Sequence, residues 1–152
     1  MKKHKFKIVL FIVIAVLVYV FYYNFYRYSG TTVNINGYVF KTDVVTSIVD
    51  MQKGLSGRET ITDNQAMLFV YEDKNKRVFW MKDMNFNIDL LWIDDDQIVG
   101  YEKDMLAPAK DTPLDNLKRY SSNAKVNKVL EIKAGLIDKL NIKIGDKVNI
   151  NI

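Results

Sequence analysis

Apolar and polar residues alternate along most of the chain beyond residue 32, and this pattern predicts a β-sheet. Residues 33–40 (VNINGYVF) place Asn36-Gly37 between two alternating segments, and Asn-Gly is the dipeptide most typical of a two-residue hairpin turn. The charged stretch 72–77 is expected to turn the chain between two strands. Short apolar or alternating runs predict the further strands 66–71, 78–81, 88–93, 98–102, 126–132 and 147–152.

Helical signals in this part of the chain are few. Thr46 is expected to cap a short helix that runs to about Gln52 and ends at Gly54, and residues 134–140 predict a second helix. Residues 105–116 hold both prolines and form the longest predicted loop. These elements predict an α+β fold, a single compact domain with a largely antiparallel β-sheet and two short helices.

The amino-terminal segment has a different pattern. Residues 8–26 are almost entirely apolar, and at about 1.5 Å per residue they match the hydrocarbon thickness of a bilayer. Lysines precede this run and aromatic residues follow it, which predicts a membrane anchor with its amino terminus inside the cell. A cleaved signal peptide is the alternative, but no Ala-x-Ala-like site follows the run.

The predicted organisation is therefore a basic cytoplasmic leader (1–7), a transmembrane anchor (8–26), a linker (27–32) and an extracytoplasmic domain (33–152). This division changes the meaning of the net charge of +4. Residues 1–30 hold five of the 22 basic residues and none of the 18 acidic ones, so the rest of the chain has 17 basic and 18 acidic residues. A folded domain without a basic excess is not expected to bind nucleic acid.

The residue inventory excludes several kinds of active site. The single histidine, His4, lies in the leader and the chain has no cysteine, so the domain cannot form Ser-His-Asp or Cys-His catalytic sites. Most zinc, copper and haem sites are excluded for the same reason. Asp94-Asp95-Asp96 lacks the alternating oxygen ligands of a calcium loop and is interpreted as a polar turn. No metal or other cofactor is predicted.

Several short motifs follow one another along the chain in the order found in a known protein family. The motifs are 54–58 (GLSGR), 66–71 (AMLFVY), 79–83 (FWMKD), 88–94 (IDLLWID), 120–122 (YSS), 129–135 (VLEIKAG) and Gly145-Asp146. Together they resemble the domain-of-unknown-function 192 family over about residues 33–152. The resemblance implies a small α+β domain, often secreted or membrane-tethered, and brings no established activity. The chain departs from the family pattern at Ser56, Ala66, Asp83 and Asn87, and Asp83 puts a negative charge where the family carries an amide.

The motif residues divide into predicted core and predicted site. Alternation assigns six apolar residues to the core: Met67, Phe69, Phe79, Met81, Leu90 and Trp92. The candidate ligand- or partner-binding residues are Arg58, Trp80, Lys82, Asp83, Asp89 and Tyr120. Trp80 is expected to face opposite to Phe79 and Met81, with Lys82 on its own face.

Two interpretations of these candidates remain open. A tryptophan beside a cation favours a site for a small anionic or ring-bearing ligand. Alternatively, Arg58 and Asp89 form a structural ion pair that ties the turn after Gly54 to the sheet, because a carboxylate inside an apolar strand needs a partner.

The preferred functional hypothesis is a membrane-anchored, extracytoplasmic, non-catalytic module that binds a small ligand or an envelope protein. One alternative is a hydrolase or lyase that uses carboxylates and lysine on envelope material. Another is a structural component of a membrane complex. A cleft with paired carboxylates, or with a lysine next to a carboxylate, would favour the enzyme, and a pocket without them would favour the binding module.

Overall fold

The structure, a computed structural model, describes residues 12–20 and 30–151. The chain divides into two compact units, residues 1–30 and 31–152. In the first unit, residues 12–20 are helical (α1). No helix within the described residues combines the length and the apolar character needed to cross a bilayer. The predicted leader (1–7), most of the predicted anchor (8–26) and residues 27–29 of the predicted linker lie outside the described residues.

The second unit is an α+β domain, as the alternating pattern predicts. Its helices are α2 (Ile48–Lys53), α3 (Leu136–Lys139) and the 3-10 helix η1 (Leu114–Asn116). Its strands are β1 (Thr32–Ile35), β2 (Tyr38–Val45), β3 (Gln65–Asn75), β4 (Val78–Trp80), β5 (Ile88–Asp94), β6 (Gln97–Met105), β7 (Arg119–Ser121), β8 (Val126–Lys133) and β9 (Val148–Asn151).

Seven of these strands form one sheet in the order β6-β5-β8-β3-β2-β1-β9, and β4 pairs with β7 in a separate two-stranded sheet. All pairings are antiparallel except that of β2 with β3, which α2 connects. The sheet curls so that its two edge strands, β6 and β9, approach each other. Hydrogen bonds join these edges: Ile98 N donates to Asp146 O (3.0 Å) and Val148 N donates to Asp96 O (2.8 Å). The largely antiparallel sheet is therefore confirmed.

The central strands are buried on both faces. On one face Leu68, Leu91 and Leu130 pack with α3 in a first core, while Phe69, Trp92 and Val129 belong to a second core on the other face. The second core also receives Leu55, from the turn after α2. All six residues that alternation assigns to the core lie in this second core or pack against it, which confirms that assignment.

Several local predictions are confirmed and others need correction. Asn36 and Gly37 form the predicted turn with φ values of 53° and 83°, and Ile35 pairs with Tyr38. The cap of α2 is Ser47 rather than Thr46, since the Ser47 hydroxyl accepts a bond from Asp50 N at 3.1 Å. The second helix is shorter than 134–140, because Gly135 takes a left-handed conformation (φ 86°) immediately before α3.

The expected hairpin between 66–71 and 78–81 is wrong. β3 continues through the charged residues to Asn75, which pairs with Val126 of β8 after an irregularity in the ladder. β4 then pairs with β7, a strand that apolar patterning does not predict because it has only three residues. Because of this pairing, β4 lies over the second core.

Candidate functional site

A cavity of about 400 Å³ lies where α2, the turn after it and β4 cover the second core. We call it the Glu131 cavity. Its lining is mostly apolar and aromatic: Ile48, Met51, Gln52, Lys53, Gly54, Leu55, Ser56, Phe69, Tyr71, Arg77, Val78, Phe79, Trp80, Met84 and Glu131. An enclosure of this size, with few polar groups in an apolar wall, is typical of small-molecule sites.

Gly54 brings the turn after α2 close to the floor of the cavity. Gly54 caps the carboxyl end of α2, and its backbone N–H donates a hydrogen bond to Asp50 O. Its φ of 50° and ψ of −133° form a conformation that residues with a side chain disfavour. A Cβ atom at this position would lie 3.4 Å from Phe69 Cζ and 3.8 Å from Glu131 Oε2. The turn therefore passes directly over Glu131 and Phe69, at a distance that would put a Cβ atom in ordinary van der Waals contact with both side chains.

Glu131 is the central polar group of this cavity. It lies on β8 opposite Met67 of β3 and Leu90 of β5, and only 5 % of the residue is exposed. Its Oε2 has no hydrogen-bond partner among the described residues. Burial raises the pKa of this carboxyl from 4.5 to about 8, and the positive charge of Arg58 offsets only part of that increase. Glu131 is therefore largely a neutral acid at pH 7.

Arg77 brings a second unsatisfied group to the same wall. Its Nη2 donates to the Asp73 carbonyl (2.6 Å) and carboxylate (2.5 Å), and its guanidinium lies 3.8 Å above the Tyr71 ring. Its buried Nε has no hydrogen-bond partner in the part of the chain that the structure describes. Burial raises the pKa of the Tyr71 phenol, and the negative charge of Glu131 adds to this while Arg77 opposes it. The pKa of Tyr71 therefore depends on both polar groups of the cavity.

Unsatisfied buried polar atoms are concentrated at this site. Among the described residues there are three such side-chain atoms, namely Asp94 Oδ1, Arg77 Nε and Glu131 Oε2. Asp94 Oδ1 lies 2.6 Å from Lys74 Nζ in an ion pair, so its charge is matched. The other two both belong to residues that line the Glu131 cavity. Native folds satisfy nearly all buried polar groups, so each exception needs an explanation.

The predicted ion pair between Arg58 and Asp89 is wrong. Arg58 Nη2 lies 2.7 Å from Asp43 Oδ2 on β2. Asp89, which is 1 % exposed, accepts 2.9 Å bonds from the backbone N–H groups of Asp104 and Ile137. Alternation along β5 puts Asp89 on the same face as Leu91, in the first core, whereas Arg58 influences Glu131.

The other predicted site residues do not gather in one place. Trp80 is 36 % exposed, lines the Glu131 cavity and stacks with Arg119 at 4.4 Å, on the opposite side from Phe79 and Met81 as expected. Lys82 and Asp83 pair with each other at 2.8 Å and line a second cavity of about 810 Å³ beneath the loop 107–114. Tyr120 is buried in the second core under Lys118.

Sequence reasoning missed Glu131 and Arg77. For Glu131 a signal exists, because it is a lone carboxylate inside the apolar run 126–132, the same feature that made Asp89 a candidate. Arg77 stands in the charged stretch 72–77, where nothing distinguishes it from its neighbours.

Comparison with known proteins identifies the family. The model of the DUF192 family, described as an uncharacterized ACR, matches residues 31–150, so the chain belongs to this family. No functionally curated protein is significantly similar to it.

Two solved structures share the fold. A protein of unknown function from Novosphingobium aromaticivorans is 26% identical, with a TM-score of 0.67 over 79% of this chain and 83% of that one. A putative transcription regulator from Sinorhizobium meliloti is 21% identical, with a TM-score of 0.71 over 80% of this chain and 94% of that one. At that identity the second similarity concerns the fold alone.

Proposed function

We propose that this member of the DUF192 family is a membrane-anchored, extracytoplasmic module that binds a small ligand in the Glu131 cavity and catalyses no reaction. The observation that carries the proposal is that two buried polar atoms, Glu131 Oε2 and Arg77 Nε, have no partner within residues 12–20 and 30–151 and belong to residues that line one cavity. A ligand with an apolar body and a few polar atoms satisfies these groups and fills the space between them.

The lining also favours binding over catalysis. Glu131 is the single carboxylate among the described lining residues, so the cavity has no pair of acids to divide general-acid and general-base roles. The hydrolase or lyase alternative would use acids and lysines of other cavities, such as Lys82 and Asp83 in the second cavity. Their side chains are 44 % and 67 % exposed, and water screens such a pair. We therefore prefer the binding module.

Phenethyl alcohol is a suitable first probe, because it is small and neutral and carries one aromatic ring and one hydroxyl. The full-length chain, purified in a nonionic detergent, is expected to bind it saturably in a calorimetric titration. Ile48→Trp, which enlarges a side chain of the wall, should weaken binding by about tenfold or more. Val49→Trp is the matched control, because Val49 is on the same helix, is equally exposed (75 % against 74 %) and does not line the cavity.

Two results would contradict the ligand-binding proposal. One is the absence of saturable binding by the unaltered chain. The other is an equal loss of binding in the Ile48 and Val49 variants, which would point to a general effect on α2 instead of occlusion of the cavity.

The location proposed for the domain depends on residues 1–26. Lysines before the apolar run, with only Arg27 close behind it, favour a domain on the outer face. Protease added to intact cells is then expected to digest residues 31–152. Protection that persists until the membrane is lysed would exclude this orientation.

A further inference from the structure

Glu131 differs from the two neighbouring arginines in having no counter-ion among the described residues. Arg58, whose charge lowers the Glu131 pKa, is already paired with Asp43 at 2.7 Å. Arg77 is paired with Asp73 at 2.5 Å. Lys53 lines the cavity from an exposed position at the end of α2. The unmatched group inside the cavity is thus an acid, and a buried acid is best satisfied by a cation that also donates hydrogen bonds.

The aromatic part of the wall also favours a cation. Four rings line the cavity: Phe69, Tyr71, Phe79 and Trp80. Two of them already hold arginine guanidinium groups on their faces, Tyr71 at 3.8 Å and Trp80 at 4.4 Å. Phe69 and Phe79 meet edge to face at 4.9 Å and leave apolar surface for a ligand body. Aromatic faces attract cations through the quadrupole of the ring.

We propose, on the basis of the ligand-binding function above, that the Glu131 cavity selects a small amine, whose ammonium group pairs with the Glu131 carboxylate and whose apolar or aromatic body packs against Phe69 and Phe79. An organic acid fits less well, because its charge would be buried in a mostly apolar wall while Arg58 and Arg77 are already paired. A neutral ligand can hydrogen-bond to the protonated Glu131 but forms no ion pair with it.

Binding of an amine to this site releases a proton. Glu131 is largely protonated at pH 7, because burial raises its pKa to about 8, and only its carboxylate pairs with an ammonium ion. The proton leaves for solvent while the ammonium takes its place, and no covalent bond changes. The facing groups keep one charge state near neutral pH, since the Tyr71 pKa is raised and the arginines stay protonated. The affinity for an amine should therefore rise about tenfold per pH unit between pH 6 and 8 and level off above.

Three probes with one phenyl ring and a short side arm test the inference: phenethylamine, phenethyl alcohol and phenylacetate. In calorimetric titrations of the full-length chain at pH 7.5, phenethylamine should bind at least about tenfold more tightly than the alcohol, and phenylacetate more weakly than either. Glu131→Gln, which keeps the shape of the side chain, should remove the advantage of the amine. Glu59→Gln, which removes an exposed carboxylate outside the cavity, is the matched control and should keep that advantage.

The outcomes separate the two proposals. Suppose that the alcohol binds and that Ile48→Trp weakens its binding. If the amine then binds no more tightly than the alcohol, or keeps its advantage in Glu131→Gln, the selection of amines is wrong and the binding function stands. An affinity for phenylacetate that exceeds that for the amine and falls as the pH rises would also overturn the inference. If none of the three probes binds, both proposals fail.

Discussion

Glu131 and Asp89 are both acidic residues buried in the sheet, yet their surroundings differ. Asp89 is 1 % exposed, and each of its two carboxyl oxygens accepts a hydrogen bond from a backbone N–H group. Glu131 is 5 % exposed, and its Oε2 has no partner among the described residues. A buried acid with hydrogen-bond partners does not by itself indicate a site. A buried acid without a partner does, because it contributes nothing to the stability of the fold.

The first prediction concerns the pH dependence of stability. Folding raises the pKa of Glu131 from 4.5 to about 8, so the folded state holds this proton more tightly than the unfolded state. The group has no effect below about pH 4.5, lowers stability progressively from there to about pH 8, and has its full destabilising effect above that. Glu131→Gln should therefore be more stable than the unaltered chain at pH 8.5, by roughly 3–5 kcal/mol, with little difference at pH 4.

Chemical denaturation at both pH values measures this difference. Glu59→Gln is the control, because it removes an exposed carboxylate and should leave the pH dependence unchanged. A Glu131→Gln variant whose stability follows the unaltered chain at both pH values would show that Glu131 is ionised or paired in the folded domain.

The second prediction separates the partners of Arg58 and Asp89. Arg58 and Asp43 are in contact, so their alanine substitutions should be coupled by about 1–2 kcal/mol in a double-mutant cycle. Arg58 and Asp89 share no hydrogen bond, and the same cycle should be additive within about 0.5 kcal/mol. Asp89→Ala alone should destabilise the domain by about 3 kcal/mol, because two backbone N–H groups, one of them buried, lose their acceptor. Coupling between Arg58 and Asp89 would contradict this prediction and support the ion pair expected from the sequence.

At the level of elements, α2 and its carboxyl-terminal turn form one wall of the Glu131 cavity. The helix has only six residues and no buried side chain, so the turn, through Leu55 (1 % exposed), contributes most of the burial. The short strand β4 forms another part of the wall and presents Trp80 and Phe79 to opposite sides. The site is therefore built from local additions over the sheet, which itself contributes Glu131, Phe69 and Tyr71.

The third prediction tests this wall. Gly54→Ala should destabilise the domain by about 1–3 kcal/mol because of its φ of 50°, and should weaken phenethyl alcohol binding because the new Cβ lies over Phe69 and Glu131. Gly57→Ala is the matched control, since Gly57 also has positive φ (75°) but has no atom within 4 Å of a Cβ. It should cost stability without weakening binding. An equal effect of both changes on binding would argue against a specific role of Gly54.

At the level of the whole molecule, the curled sheet gives the second unit a core on each face. Its strands and helices α2 and α3 all lie within residues 31–152, and the edges of the sheet meet through backbone hydrogen bonds at Ile98 and Val148. A unit with its own cores and closed edges is expected to fold independently.

The fourth prediction follows from this autonomy. A chain that begins at Thr31 should be soluble without detergent and should unfold in one cooperative thermal transition monitored by circular dichroism. It should also bind phenethyl alcohol with the affinity of the full-length chain. Aggregation, or melting without a transition, would instead favour the alternative of a structural component in a membrane complex.

The sequence by itself determined the features that depend on neighbouring residues. Alternation located most of the strands and assigned Met67 and Phe69 to the core, because side chains of a strand point to opposite faces in turn. Asn36-Gly37 specified its hairpin, because a tight turn needs positive φ at both positions. The ordered motifs identified the family, since they extend over nearly the whole domain.

Only the tertiary structure decided which distant segments meet. It paired β4 with β7 across some forty residues, joined Arg58 to Asp43 in place of Asp89, and enclosed Glu131 beneath the turn at Gly54. Local patterning carries no information about these contacts, because the burial and the pKa of a side chain depend on every segment packed around it. The charge state of Glu131, and with it the proposed selection of an amine, comes from the assembled cavity and from no single stretch of the chain.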